Sequence, residues 1–141
     1  DLKNDRTNNF DFALEEVVQF EGETGPYVQY THARAMSILR KANHTVDTQA
    51  AFSLTDDDAW EVLKLIENYP NVVRFAEEKC EPSAIAKFVI NLAQAFNKYY
   101  AHTKVLVEDE AFNSRIALVQ TTASILKQGL ALLGVAAPDE M

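Results

Sequence analysis

The chain has 141 residues, 48% apolar and 24% charged, with 21 acidic against 13 basic side chains and a net charge of −8. That length suits one domain with a good core and excludes two full-sized ones, and the apolar and charged fractions exclude wholesale disorder. A single cysteine, Cys80, excludes an internal disulfide and is expected to be a buried or half-buried thiol. No run reaches the ~18 apolar residues of a membrane span, and the opening DLKNDRTNNF has no apolar leader region, so a reducing, cytoplasmic setting is expected.

In chain order, Phe10, Leu14, Val17 and Val18 fall at helical spacing and predict a short amphipathic helix over residues 10–20. Glu21-Gly22 stops it, and Thr24-Gly25-Pro26 starts another, because proline in the first turn loses no hydrogen bond and has its φ already set. On the helix predicted to Ala42, the residues Val28, Ala35, Ile38, Leu39 and Ala42 share a core-facing side. Opposite them stand Gln29, Tyr30, Ala33, Arg34, Ser37, Arg40 and Lys41, with Tyr30, Arg34, Ser37 and Lys41 in a row at steps of four, three and four.

Residues 43–53 read as a loop, after which Thr55-Asp56-Asp57-Asp58 caps a helix over 56–68 and places acids where its dipole favours them. Trp60, Leu63 and Ile66 are expected on its core side, with Trp60 as an anchor. Tyr69-Pro70 is expected to end it, and a further short helix over 71–79 turns Val72, Val73, Phe75 and Ala76 inward.

Beyond the boundary Glu81-Pro82-Ser83, the stripe Ile85, Phe88, Val89, Leu92, Phe96 and Tyr99 predicts the central helix, over 82–102. Its far end gathers Lys98, Tyr99, Tyr100, His102 and Lys104. Tyr99 continues the stripe and Tyr100 leaves it. Asn113 is the expected cap of a last helix over 115–133, whose inner face carries Ile116, Val119, Ala123, Leu126, Leu130 and Leu133 before Gly134 stops it. Asn-Gly and Asp-Gly are absent and no hairpin pattern occurs. The expected fold is all-α, a bundle of five or six helices.

Charge is unevenly spread. The acids fall in four blocks, separated by acid-free stretches at 24–46, 82–107 and 111–138 that hold eight of the 13 bases and all three histidines. Packed side by side, these stretches would form a neutral or positive face on an acidic protein, and a local patch matters more to an anion than the total. The first of them combines aromatic, guanidinium, hydroxyl and ammonium groups in one row, the means by which unstacked RNA bases and their phosphates are held. Two plainer readings stand beside this: buried helices carry few acids, and Arg and Lys on a solvated face pair with neighbouring acids. Cys80, His32, His44 and His102 lack zinc-ligand spacing, and no Gly-rich phosphate loop or Gly-x-Ser-x-Gly elbow is present. A binding module is expected. The alternative to RNA is an acidic all-helical module that binds a protein through Trp60 and has no RNA role.

The runs EGETGPYVQYTHAR, EPSAIAKFVINLAQAFNKYY and SRIALVQTTASILKQGLALLGVAAPDEM together resemble the C-terminal part of the arginyl-tRNA synthetase family, in order and across nearly the whole chain. The resemblance implies a helical anticodon-binding domain over residues 24–141, preceded by a junction segment over 1–23. It also implies an excised piece of a class I ligase that joins arginine to tRNA-Arg. The implied partners are the anticodon loop of tRNA-Arg and the ligase's own catalytic domain, with neither DNA nor membrane, in a monomer. No cofactor is expected in this chain; ATP with magnesium would serve the catalytic domain, whose HIGH-like and KMSKS-like motifs have no counterpart here.

The family's Asp-Ala-Leu-Arg signature is replaced by Phe112-Asn113-Ser114-Arg115, which keeps only the arginine. Matched motif by motif, the resemblance points to Tyr30, Arg34 and Arg40, to Tyr99 or Tyr100, and to Met141 as groups that hold the anticodon. Lys41, Lys98 and Arg115 are expected at phosphates, Arg115 alternatively as a structural cation.

Overall fold

The computed structural model describes residues 24–141. Among them every regular element is helical: α1 spans Gly25–Ala42, α2 Asp57–Lys79, α3 Ser83–His102 and α4 Phe112–Leu132. The helix expected over residues 10–20 lies outside the described residues. Helices α3 and α4 pack on each other at the centre, α2 lies along α3, and α1 lies along α4 with a smaller contact to α3. No helix among the described residues is long and apolar enough to cross a membrane.

The apolar stripes read from periodicity form this core. Ile85, Phe88, Val89, Leu92, Phe96 and Tyr99 of α3 are all buried, as are Ile116, Val119, Ala123, Leu126 and Leu130 of α4 and Val28, Ala35 and Ile38 of α1. Helix α4 also buries Phe112, Leu118 and Ile125 on other sides, which makes it as central as α3. Gly134 (φ 75°) ends it. Its N–H donates to Ala131 O and that of Val135 to Leu130 O, the paired bonds of a left-handed helix stop that Gly accepts without a Cβ clash.

Five of the expected helices fall among the described residues, and two of them are one. Helix α2 runs through Pro70 without ending. A proline inside a helix removes one N–H and costs about 3 kcal/mol or more. Here Pro70 is exposed, and Val62, Ile66, Tyr69, Val72 and Ala76 keep one unbroken apolar phase against the core on both sides of it. Burial of that continuous face holds the two halves in line. Phe75, expected inward, is 45% exposed because Ala76 takes the inner place. Trp60, expected as a core anchor, is 59% exposed; the smaller Ala59, 1% exposed, takes the buried place instead. Cys80 is exposed rather than buried, since it caps α2 in a left-handed conformation (φ 53°) where the chain turns outward.

The α3–α4 contact depends on one glycine. A Cβ on Gly129 would stand 2.4 Å from Val89 Cγ1, and Val89 is β-branched, fully buried and held to one rotamer in its helix. Gly129→Ala is therefore expected to destabilise the bundle by about 1–2 kcal/mol, the overpacking exceeding the gain in helix propensity. A lowered urea midpoint at unchanged slope checks this.

Candidate nucleic-acid interface

Helix α1 starts on Gly25-Pro26 and carries Arg40 and Lys41 in its last turn, where cations suit the dipole. Asn43, left-handed at φ 45°, closes it with an N–H bond to Leu39 O. With Val28, Ala35 and Ile38 turned into the core, the row Tyr30, Arg34, Ser37 and Lys41 is left on the outside. All four line one cleft of about 460 Å³ together with Arg40. Tyr100 from the end of α3, Leu106 from the following loop, and Glu140 and Met141 from the C-terminal segment complete its walls.

Arg34 lies at the centre of this arrangement. Its guanidinium carbon is 5.5 Å from the Tyr30 ring centroid and 5.3 Å from that of Tyr100, close enough for cation–π attraction to both. Its Nη1 donates to Asn97 Oδ1 at 2.9 Å. The amide nitrogen of Asn97 donates in turn to Tyr27 Oη and Thr31 Oγ1, each at 2.9 Å, and Thr31 donates to Tyr27 O. Both amide hydrogens and the carbonyl of Asn97 are thus used, so the side chain has one orientation that satisfies it. Arg34 works less as a free cation than as a bridge that fixes two exposed tyrosines, Tyr30 at 53% and Tyr100 at 39% exposure.

The C-terminal segment is laid along α1 by three side chains of that helix. Gln29 Nε2 donates to Ala136 O at 2.7 Å, His32 Nδ1 meets Pro138 O at 3.0 Å, and Arg40 Nη1 donates to Asp139 O at 3.2 Å. Arg40 also stands 3.9 Å from Glu140, an exposed pair of small energetic weight. Met141 follows, 65% exposed at the lip of the cleft. Lys41 makes no ion pair among the described residues and is the cation most available to an anion there.

Of the nine residues expected at the site, Tyr30, Arg34, Arg40, Lys41, Tyr100 and Met141 meet in the cleft. Lys98 does not: it faces α2, where Asp58 and Glu61 lie 3.7 Å from its Nζ. Tyr99 is fully buried, its hydroxyl without a partner, and cannot stack a base from solution. Burial pushes its phenol pKa up, Asp56 adds to the shift and Arg115 opposes it. Arg115 lies outside the cleft, in bonds that suit the structural one of its two alternatives. At 7% exposure, its Nε donates to Val105 O at 3.2 Å and its Nη2 to Val107 O and to Asp109 Oδ1, the last at 2.7 Å. Nor is Asn113 a helix cap. Ala111 holds that position, while Asn113 Oδ1 accepts from Asp47 N–H and pairs with His44 Nε2, and its amide donates to Asp47 O, pinning the loop between α1 and α2.

Asn97 and Leu106 are contributions that residue patterns left unassigned. Asn97 sits in the AFNKYY run already singled out, and a polar side chain between buried Phe96 and Tyr99 is the signal that could have found it. Leu106 gave none, since a loop leucine reads alike whether it faces a cleft or solvent.

An all-helical bundle whose cleft is lined by tyrosines, arginines and a lysine has the make-up of a nucleic-acid-binding module. Among the described residues no group of His, Cys, Asp and Glu is arranged to hold a metal ion. Residues 28–141 match the DALR anticodon binding domain, and the chain belongs to that family. It is 64% identical over its full length to the arginine–tRNA ligase of Enterococcus faecalis and 59% identical to that of Streptococcus agalactiae serotype III, covering 25% of each. Among solved structures, Thermus thermophilus arginyl-tRNA synthetase superposes with a TM-score of 0.73 at 37% identity, over 86% of this chain and 22% of that one. The chain spans about a quarter of the length of the curated relatives it matches.

Proposed function

We propose that this chain is the anticodon-reading domain of an arginine–tRNA ligase and that it receives the anticodon loop of tRNA-Arg in the cleft between α1 and the end of α3. The observation that carries this reading is the meeting of Tyr30, Arg34, Arg40, Lys41, Tyr100 and Met141 around one cavity in a member of an anticodon-binding family. Bases splayed from the loop stack on the outer faces of Tyr30 and Tyr100, whose inner faces Arg34 covers. Lys41 and Arg40 neutralise phosphate, and Met141 packs against a base edge at the lip. Three cations in a recess suit a loop of unstacked nucleotides better than a duplex, whose regular phosphates call for a broad basic track. The acidic module without an RNA role has no support from the family match.

In this reading residues 1–23 join the domain to the catalytic part of the ligase, where ATP, magnesium and arginine are bound, and the ligase acts in the cytosol as a monomer. The domain performs no bond chemistry of its own; its binding energy helps hold the acceptor end of the tRNA for transfer of arginine. Titrating the chain with tRNA-Arg and with an anticodon-swapped transcript at two salt concentrations tests this. Expected is a preference for tRNA-Arg of about 1–3 kcal/mol per base read, with affinity falling as salt rises. Equal affinity for the two transcripts would sink the anticodon reading.

A further inference from the structure

We propose that Gln29 and His32 are positioning residues for RNA recognition, acting through the strap of residues 136–141 that they hold against α1. The proposal rests on the anticodon reading above. Both side chains take hold of backbone rather than side chains: Gln29 Nε2 binds Ala136 O at 2.7 Å and His32 Nδ1 binds Pro138 O at 3.0 Å. A carbonyl oxygen only accepts, so His32 carries its proton on Nδ1. Gln29 and His32 are three residues apart and therefore neighbours on one face of α1, and neither lines the cleft. The strap has no regular secondary structure, and among the described residues it is further held by the partly buried Ala137 and Pro138 and by Arg40. His32 is 1% exposed, so its end of the grip is rigid. Two fixed backbone points at 136 and 138 determine where Asp139, Glu140 and Met141 leave the surface, and the last two of these form one wall of the cleft.

Arg40 holds the same strap but also lines the cleft, so a change there would mix loss of positioning with loss of an RNA contact. Gln29 and His32 separate the two. In the 141-residue chain, binding of fluorescent anticodon stem-loops, one of tRNA-Arg and one with a swapped anticodon, is measured for four forms. These are the unaltered chain, the Gln29→Ala/His32→Ala double variant, the chain lacking residues 136–141, and the double variant lacking them too. The double substitution is expected to weaken binding about tenfold, corresponding to two hydrogen bonds of ordinary strength, when the strap is present and to have no further effect when it is absent. His32→Asn, whose amide nitrogen falls near the place of Nδ1, is expected to recover most of the loss from His32→Ala. Hydrogen exchange of residues 136–141 is expected to speed up in the double variant while the four helices keep their protection. An equal loss with and without the strap overturns the proposal, as does faster strap exchange with unchanged RNA affinity. Should every form bind but none prefer the arginine anticodon, the base-reading claim fails while the cycle still decides whether the strap is positioned by these two residues. Should the unaltered chain bind no RNA, both fall together.

Discussion

Tyr100→Ala is expected to weaken binding of the tRNA-Arg anticodon loop by about 10- to 100-fold while lowering the stability of the domain by no more than about 1 kcal/mol. The asymmetry follows from where the ring stands. Tyr100 leaves the α3 stripe one residue after Tyr99, so it contributes little to the core, yet it forms a wall of the cleft and covers one side of Arg34. Truncating it removes a stacking platform, about 1–3 kcal/mol per base, together with one of the two rings that fix the guanidinium, about 0.5–1 kcal/mol at an exposed site. Tyr30→Ala should behave similarly. Because both rings share Arg34, the double variant should lose less than the two single losses added. Neither change removes a charge, so the dependence of affinity on salt should stay as it is. Lys41→Ala, by contrast, should lower the salt slope by about one contact. Anisotropy titrations at two ionic strengths separate these outcomes. A Tyr100→Ala chain that binds as well as the original, beside a Lys41→Ala chain that does not bind, would mean that the cleft attracts phosphate without reading bases.

What the sequence made legible divides along physical lines. Repeated apolar spacing over four or five turns specifies a buried face, and the faces of α1, α3 and α4 were read correctly, down to Tyr30, Arg34, Ser37 and Lys41 on one outer row. Local punctuation misled where burial outweighed it. Pro70 is a strong stop signal, but the face around it, Val62, Ile66, Tyr69, Val72 and Ala76, continues in phase and overrides it. Trp60 illustrates the ambiguity of short spacing. Residues 60, 63 and 66 fit a helical period as well as 59, 62 and 66 do, and it is Ala59 and Val62 that take the buried places. Lys98 is assigned to phosphate by residue type alone, whereas Tyr99 is only the alternative to Tyr100 and Arg115 is left between a phosphate contact and a structural cation. Whether a cation is free depends on partners far along the chain, Asp58 and Glu61 for Lys98, which no local pattern reveals. Likewise, Asn97 joins Tyr27, Thr31 and Arg34 across two helices, a network that exists only after α1 and α3 are packed.

Arg115 is the second place where one side chain carries a large effect, and here the effect is on folding first. Its fork reaches Val105 O, Val107 O and Asp109 Oδ1 from a position that is 7% exposed, so it ties the α3–α4 loop to the first turn of α4. Arg115→Met keeps the stem and removes all three bonds, leaving the Val105 and Val107 carbonyls without this donor. A loss of about 3 kcal/mol is expected by denaturant titration, since hydrogen bonds from a charged donor are individually worth about 1.5–3 kcal/mol and part of the loop can turn to water. Arg115→Lys should recover little, because one ammonium cannot span two carbonyls and a carboxylate in the geometry of a planar fork. The same contact has an acid signature. The hydrogen bond from Arg115 holds the Asp109 carboxyl below its ordinary value of 3.8, and the backbone N–H of Ala111 adds to this. A carboxyl whose folded pKa is depressed contributes stability above its unfolded pKa and loses it as pH falls through the folded one. The original chain should therefore lose this contribution below a pH of about 4, and Arg115→Met should show a shallower acid-side decline. Leu106 lies between the two carbonyls that Arg115 grips and forms part of the cleft wall, so the variant should also bind the anticodon loop more weakly at temperatures where it is still fully folded. On the proposed reading, the arginine that survives from the family signature would act on RNA at one remove, through the loop it holds. If Arg115→Met lost RNA affinity and salt slope without losing stability, the residue would be a phosphate contact after all.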